Sequence, residues 1–288
     1  MTLPPEIVED PRWRRLAETR ERDAAAARAA QRSYLRLTTT TIVSTAAAAI
    51  LGGLVLYGVE TDPAPDHRLL VRLLADGHLR TGLVVVQGLC LAAAAAGGAL
   101  LGARDPRTRW VEARLRAEDG RLRLAERALR LGHERGPEAF RAAGDWFESF
   151  VESQRGHLRR SADRRDRAAR RLALAAALLA GLGALAAALT GLQAGLIVVA
   201  VAIFGVSAPA LVSAVQSLGR ERADARRAKL HERSWRALTA LLERTPEFRA
   251  SVAAADLEGA LAYAEAVFDV LRRDHAGFAA AHEGEEIG

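Results

Sequence analysis

Three stretches of this sequence, 37–59, 81–103 and 172–219, contain no charged residue over 23, 23 and 48 positions. A helix needs about 20 residues to cross the ~30 Å hydrocarbon layer of a membrane, so the first two stretches fit one span each and the third fits two. A soluble helix pair would normally keep a polar face, which 48 uncharged residues do not provide. The sequence therefore predicts an all-α integral membrane protein with two transmembrane helical hairpins and long amphipathic cytoplasmic helices.

The third stretch divides where helix-breaking residues interrupt it. The run from Thr190 to Gly195 holds two glycines and a glutamine, which suits a tight turn between two spans. The four predicted spans are 37–58, 82–103, 172–190 and 195–217. The mean hydropathy of +0.01 is then an average over apolar spans and a strongly charged remainder.

Arginine asymmetry predicts the orientation in the membrane. Of the 41 basic residues, 40 are arginine, with Lys229 the exception. Five, seven, eight and seven basic residues lie within 20 positions of the four predicted inner ends, against three in the loop 60–80. The positive-inside rule places both termini in the cytoplasm and that loop outside, in a multi-pass protein of the cell (inner) membrane. The resulting segments are an N-terminal cytoplasmic helix 1–36, a first hairpin 37–103, a cytoplasmic segment 104–171, a second hairpin 172–219 and a C-terminal cytoplasmic segment 220–288.

The two halves of the chain follow one plan. A basic amphipathic helix enters each hairpin, at 21–36 and 155–171, and another leaves each, at 107–131 and 220–244. Both halves face the same way, so the arrangement is a parallel repeat and not the inverted repeat of many secondary transporters.

Apolar stripes mark the cytoplasmic helices. Helix breakers at Gly136-Pro137 predict a helix that starts near Glu138 and runs unbroken into the third span. A last amphipathic helix follows Asp256, a good N-cap. The stripes containing Trp146 and Trp235 predict helix packing within or between subunits, as coiled-coil contacts of a homo-oligomer would give, with a ligand pocket as the alternative.

Few polar residues interrupt the spans. Candidates for lining or gating a pore are Thr38, Thr41, Thr45, Gln87, Ser207, Pro209 and Gln216. Local hydrogen bonds to backbone carbonyls are the alternative role for the hydroxyl groups, and a static kink is the alternative to a hinge at Pro209. Gly98 and Gly102 form a G-x-x-x-G pattern that would let another helix approach closely.

The sequence shows no catalytic motif. A single cysteine, Cys90, excludes an intrachain disulfide and a cysteine-based zinc site, and no nucleophile–base motif, P-loop or dinucleotide fingerprint is present. We therefore expect neither an enzyme nor a cofactor or metal site. The arginines flank the spans, so the expected partner is a bilayer with anionic headgroups and not nucleic acid.

The cytoplasmic segments resemble the SLATT proteins, the SMODS- and SLOG-associating two-transmembrane effector families, in their tandem four-span form. The resemblance rests on Trp110, Ala117-Glu118 and Gly136-Pro137, and on three later helices. Those helices carry Gln154, His157, Leu158, Arg159 and Arg160, then Trp235, Leu238 and Leu241, then the run from Glu265 to Phe278. His157, Leu158 and Phe278 depart from the family pattern, which has aromatic residues at the first two positions and tryptophan at the third.

The resemblance implies a bacterial membrane effector of a conflict or antiviral defence system. Such proteins are proposed to perturb the membrane as pores when a partner enzyme makes a nucleotide signal, which implies a cytosolic protein or nucleotide-signal sensor as partner. It implies no catalytic residue. The alternative is a non-conducting membrane scaffold that recruits a cytosolic partner.

Overall fold

The computed structural model describes residues 3–60, 77–189, 195–222 and 224–283, and every regular element in these ranges is an α-helix. In chain order the helices are α1 Pro5–Val8, α2 Pro11–Glu60, α3 Gly77–Arg104, α4 Pro106–Glu134, α5 Pro137–Leu189, α6 Gly195–Arg222, α7 Asp224–Leu242, α8 Thr245–Ala253 and α9 Leu257–Glu283. The all-helical prediction is confirmed for these residues. The unbroken helix expected from near Glu138 into the third apolar segment is α5, which is 53 residues long.

The chain forms two compact units. The arginine-rich unit comprises Met1–Arg32, Pro106–Arg167 and Ala223–Gly288, and the apolar unit comprises Ser33–Asp105 and Ala168–Arg222. Helices α2 and α5 each contribute residues to both.

Aromatic rings fill the core of the arginine-rich unit, where α9 packs against α4, α7 and α8. Phe147 of α5 is fully buried, and its ring lies 5.5 Å from that of Phe248 and 6.0 Å from that of Phe268, between centroids. Trp146 stacks on Phe150 at 5.9 Å. The apolar stripes predicted on α5 and α9 are therefore core faces, because residues three and four apart share one side of a helix.

Local backbone chemistry explains where the helices end. Asp105 and Ala255 adopt φ values of 37° and 56°, and Gly136 has a φ of 109°, a region that glycine occupies without a steric penalty. Asp256 caps α9, since its Oδ1 accepts a hydrogen bond from the Gly259 amide at 3.1 Å. The predicted N-cap is confirmed.

The apolar unit has its large side chains on the outside. The most exposed valines and leucines of the apolar segments are 47–65% accessible, whereas Gly97, Ala48, Ala186 and Ala208 are buried. The exposed set comprises Val43, Val84, Val85, Val86, Leu89, Leu91, Leu174, Leu178, Leu182 and Leu185. This distribution reverses the rule for soluble proteins and matches helices that face lipid and contact one another through small residues.

Three helices of the described residues are long enough and apolar enough to cross a membrane. They lie within Pro11–Val55, Gly77–Arg104 and Pro137–Ala186. The fourth predicted span, 195–217, falls in α6, and many of its side chains lie outside the described residues. The predicted turn after Leu189 and most of the loop 60–80 also lie outside them.

Candidate functional site

Two of the hydroxyl groups predicted to line a pore, those of Thr41 and Thr45, bond within α2. Thr41 Oγ1 donates to the Leu37 carbonyl at 2.9 Å, and Thr45 Oγ1 donates to the Thr41 carbonyl at 2.8 Å. Thr38 is 7% exposed, and its Oγ1 has no hydrogen-bond partner among the described residues. Local bonding, the alternative to a pore-lining role, is therefore the observed state of Thr41 and Thr45.

Two contacts join polar residues to glycines across α2 and α3. A Cβ placed on Gly97 would collide with Thr41 Oγ1, and one on Gly52 would lie 2.7 Å from Gln87 Nε2. In contrast, no described atom lies within 4 Å of a Cβ placed on Gly98 or Gly102. Gly97 therefore packs against α2 within the protomer, whereas the predicted pair Gly98 and Gly102 faces open space.

The remaining span candidates lie on α6. Ser207 is buried, whereas Pro209 and Gln216 are exposed, and α6 continues through Pro209. Among the described residues, the predicted polar residues of the spans do not contact one another to form a single cluster.

Both predicted packing tryptophans belong to the arginine-rich unit. Trp146 meets Trp13 edge-on at 6.1 Å between ring centroids. Trp235 lies beneath the guanidinium of Arg159, with Arg159 Cζ 4.8 Å from the ring centroid. A cation over an indole face is an attractive pairing that also tolerates water at its edge.

A buried histidine–aspartate pair joins α7 to α9 in the same unit. His231 Nδ1 lies 3.1 Å from Asp274 Oδ1, and the two residues are 3% and 5% exposed. Burial alone would raise the pKa of Asp274, but hydrogen bonds from His231 and Ser234 and the charge of His231 hold that pKa below its ordinary value. Asp274 is therefore ionised, and His231 Nδ1 carries the proton that it donates to the carboxylate.

Two further histidines lie around this pair. His275 Nε2 lies 4.0 Å from Glu118 Oε2 of α4, and His157 Nε2 lies 3.4 Å from Ser161 Oγ on α5. Burial is the largest cause that lowers the pKa of each histidine, and the charges of Arg114 and Arg121 add to it.

Aromatic and arginine side chains meet at the end of this region. The Phe278 ring of α9 lies edge-on to Trp110 of α4 at 5.5 Å. Two guanidinium groups approach the same ring, Arg114 from α4 at 4.2 Å and Arg227 from α7 at 4.6 Å. Arg227 is 4% exposed, and Arg114 has a pKa below its ordinary value, chiefly because of burial.

We name these residues the polar clamp. Its members are Trp110, Arg114, Glu118, His157, Arg227, His231, Asp274, His275 and Phe278. The sequence did not single out the clamp as a site, although two signals were present. His275 occupies an apolar-stripe position on α9, where a histidine implies a buried polar partner, and His231 stands three residues before the serine that bonds the same aspartate.

The clamp places charged side chains within a packed interface between helices. Among the described residues, no group of three or more histidine, cysteine, aspartate or glutamate side chains is placed to hold a metal ion. Asp274 accepts a hydrogen bond from Ser234 as well as from His231. The His231–Asp274 pair is therefore a structural contact between α7 and α9. A separate groove of about 380 Å³ lies between α4 and α9, with Leu261 and Phe268 among its lining residues and glutamates at its walls.

Comparison with known proteins identifies no relative. No protein-family model, no curated protein and no solved structure matches the chain.

Proposed function

We propose that this chain is a bacterial membrane effector that forms a channel-like oligomer, with its arginine-rich unit responding to a partner or signal. The observation that carries the proposal is the surface of the apolar unit. Leu174, Leu178, Leu182 and Leu185 are 52–60% exposed and repeat every three or four residues on α5. Such a stripe in water would be an aggregation site, whereas in a bilayer it is the lipid-facing side.

Four spans in two hairpins suit the contacts within the apolar unit. Gly97 meets Thr41 and Gly52 meets Gln87, so α2 and α3 run antiparallel. On α5 and α6, a Cβ on Gly183 would lie 2.5 Å from that of Ala208, and one on Gly219 would lie 4.0 Å from Leu172. Residue numbers thus rise along α5 where they fall along α6, so these two helices also run antiparallel. Small residues at both helix pairs support close transmembrane packing.

The inner cell membrane, with both termini in the cytoplasm, is the location that arginine asymmetry favours. Some arginines of the arginine-rich unit form ion pairs with Asp23, Glu112 and Asp119. The predicted spans contain no acidic residue. The remaining arginines next to the spans would attract anionic headgroups. No enzymatic step is part of the proposal.

Conduction requires several copies in this proposal. The described contacts within each helix pair are close, so neither pair by itself leaves room for a path between its two helices. Gly98 and Gly102 face open space on α3, and that face would suit a neighbouring copy. The role in a conflict system, and a cytosolic protein or nucleotide-signal sensor as partner, rest on the resemblance to the SLATT families.

The second candidate is a non-conducting scaffold that recruits a cytosolic partner. It is favoured by the arginine-rich unit, whose large aromatic core makes a folded platform of its own.

Membrane potential separates the two candidates. The chain is expressed from an inducible promoter in bacterial cells, and the potential is followed with a voltage-sensitive dye. The control is the double variant Leu178→Arg/Leu182→Arg, because two charges on a lipid-facing helix oppose insertion. The effector proposal expects depolarisation by the wild type and none by the control. Full insertion of the wild type with a potential that stays unchanged under any trigger would contradict the channel and favour the scaffold.

A further inference from the structure

We propose that the arginine-rich unit binds a second copy of the chain as a two-fold dimer, through the face that α2, α4 and α9 form together. Arg12 and Arg15 on α2 of one copy enter the groove between α4 and α9 of the other and pair there with Glu258 and Glu265. The inference deepens the proposed function by naming a contact through which copies assemble. It rests on that function only for what assembly does to the membrane.

Helices α2 and α9 pack on opposite sides of α4. A Cβ placed on Gly120 of α4 would lie 3.1 Å from Cβ of Arg20 on α2. In contrast, Oε2 of Glu118 on α4 lies 4.0 Å from Nε2 of His275 on α9. Residues two positions apart on a helix point about 200° away from each other. A side of α4 is therefore left open between α2 and α9.

Two ion pairs occupy this open side of α4. Asp119, Arg123, Glu126 and Arg130 follow at intervals of four, three and four residues, which places them in one row. Arg123 Nη2 lies 2.7 Å from Asp119 Oδ2, and Arg130 Nη2 lies 2.8 Å from Glu126 Oε1. Each side chain of the row is at least 39% exposed. The middle of the face is thus accessible and electrically neutral.

The α9 edge of the face is negative. Glu265 and Asp269 share Arg272 as their basic partner, and all three side chains are about half exposed. Glu258 is exposed and has no ion-pair partner among the residues that the structure describes. Three carboxylates therefore stand against one guanidinium group, which leaves two negative charges in excess. We call these four residues the negative edge.

The α2 edge of the face is positive. Arg12 and Arg15 are exposed, and neither has an ion-pair partner within the described part of the chain. Arg12 stands eleven residues, or about three turns, before Asp23, whose Oδ1 lies 3.7 Å from Nε of Arg116 on α4. Arg12 is thus on the side of α2 that borders α4. The two arginines, the positive edge, match the excess charge of the negative edge.

Both edges lie at one level of the unit. Trp13, which stands between the two arginines, meets Trp146 of α5 at 6.1 Å between ring centroids. Phe147, the next residue of α5, lies 6.0 Å from Phe268 of α9, and Phe268 lines the groove together with Glu265. A two-fold axis parallel to α4 keeps each level and exchanges the two edges. The positive edge of either copy then meets the negative edge of the other, as an isologous interface requires.

The groove suits an arginine side chain. Leu261 and Phe268 contribute its apolar lining, and Glu258 and Glu265 are seven residues, about 10 Å, apart along α9. The methylene stem of an arginine packs on apolar surface, while its guanidinium group binds a carboxylate through two parallel hydrogen bonds. Because the matching arginines belong to the same face, the occupant that fits is a second copy of the chain. Complementary charge also fixes the register of the two copies.

Zero-length cross-linking tests the contact on the full chain in membranes at low salt. Lys229 is the only lysine of the wild type, so Arg12→Lys/Arg15→Lys adds amines at the contact and keeps both charges. A carbodiimide joins an amine to a carboxylate only where the two groups touch. We expect a covalent dimer in which the segment 12–15 of one copy is linked to Glu258 or Glu265 of the other. The wild type, which lacks these amines, is the control.

Charge reversal provides a second test, with two differently tagged copies recovered together from membranes. Glu258→Arg/Glu265→Arg reverses the negative edge, and Arg12→Glu/Arg15→Glu reverses the positive edge. Each double variant alone should lose about tenfold in self-association, because all its contacts across the axis become repulsive. The two double variants mixed should associate as the wild type does, since each edge again meets the opposite charge.

The matched control for charge reversal is Glu138→Arg. Glu138 is the second residue of α5, as Glu258 is of α9, so both changes remove an acid from the first turn of a helix. Glu138 lies outside the face, and its reversal should leave self-association unchanged.

Inserted protein without a cross-link between 12–15 and α9 overturns the proposal. Double variants that associate as well as the wild type, or that fail to recover when mixed, also overturn it. A cross-linked dimer that leaves the membrane potential unchanged would keep this contact and remove the channel. Depolarisation without the cross-link would keep the channel and refute this contact.

Discussion

The ring of Phe278 lies edge-on to the indole of Trp110, with centroids 5.5 Å apart and an interplanar angle of 85°. The two residues are 168 positions apart in the chain, and both are 3% exposed. Edge-to-face rings attract through their quadrupoles, and the guanidinium groups of Arg114 and Arg227 add cation–π attraction at the same ring. This one aromatic residue thereby ties the C-terminal helix to α4 and α7.

Replacing Phe278 by alanine should lower the free energy of unfolding of the arginine-rich unit by about 3–5 kcal/mol, the usual cost of deleting a buried ring. Phe278→Leu keeps apolar volume but removes the ring, so its cost should be smaller. Urea unfolding followed by tryptophan fluorescence measures both, because all four tryptophans lie in this unit. Equal stability of the alanine variant and the wild type would refute the contact.

Removing the carboxylate of Asp274 should destabilise the same unit by about 1–3 kcal/mol, because the buried His231 N–H loses its acceptor. The matched control is Asp269→Ala, five residues earlier on α9 with a 58% exposed side chain, which should change stability by no more than about 0.5 kcal/mol. Both are measured by urea unfolding at pH 7.5.

The penalty for Asp274→Ala should also depend on pH. The pKa of Asp274 is below its ordinary value, so the ionised carboxylate stabilises the fold fully above about pH 4. That contribution is lost as the pH falls through the lower, folded-state pKa. The two curves should therefore converge only in strong acid, and convergence already at pH 6 would contradict the assignment.

Neighbouring glycines on α3 should respond differently to the same substitution. Gly97→Ala places a methyl group against Thr41, whereas Gly98→Ala meets no described atom within 4 Å. Cys90 on the same helix is the chain's one thiol and reports unfolding of the apolar unit through labelling during a thermal ramp. Gly97→Ala should lower the labelling temperature by about 2–4 °C for a loss of ~1 kcal/mol, and Gly98→Ala should leave it unchanged or raise it slightly.

The same pair also probes assembly. If the face with Gly98 and Gly102 contacts a second copy, Gly98→Ala should change the oligomer distribution in a cross-linking experiment while Cys90 labelling stays as in the wild type. An unchanged oligomer would place the interface elsewhere.

Orientation is tested by thiol labelling in a Cys90→Ser background. A membrane-impermeant reagent should label Ala64→Cys in intact cells, because the loop 60–80 is predicted outside. Ala25→Cys, in the N-terminal segment, should react only after the membrane is permeabilised. The opposite pattern would invert the topology.

Sequence periodicity predicted the features that depend on neighbouring residues. Three features follow from contacts within one or two turns of a helix. They are the apolar residues spaced three and four positions apart on α9, the cap at Asp256 and the unbroken α5. Charge-free runs likewise predicted the helices that are apolar enough for a membrane.

The polar clamp and the packing glycine depend on how helices rotate against one another. His231 and Asp274 are 43 residues apart, and no spacing rule connects them. A helix turns by about 100° per residue, so whether Gly97 or Gly98 meets α2 is decided by the rotation of α3, which the G-x-x-x-G pattern does not contain. The pairing of glycine with Thr41 is settled only by packing across the two helices.

Ion flux in proteoliposomes tests the central claim most directly. Purified protein is inserted into vesicles of anionic lipid that carry a potassium gradient, and a potential-sensitive dye reports leakage at pH 7.5. The account predicts protein-dependent loss of the potential, with protein-free vesicles remaining tight. Vesicles that stay tight with fully inserted and oligomeric protein would contradict the account.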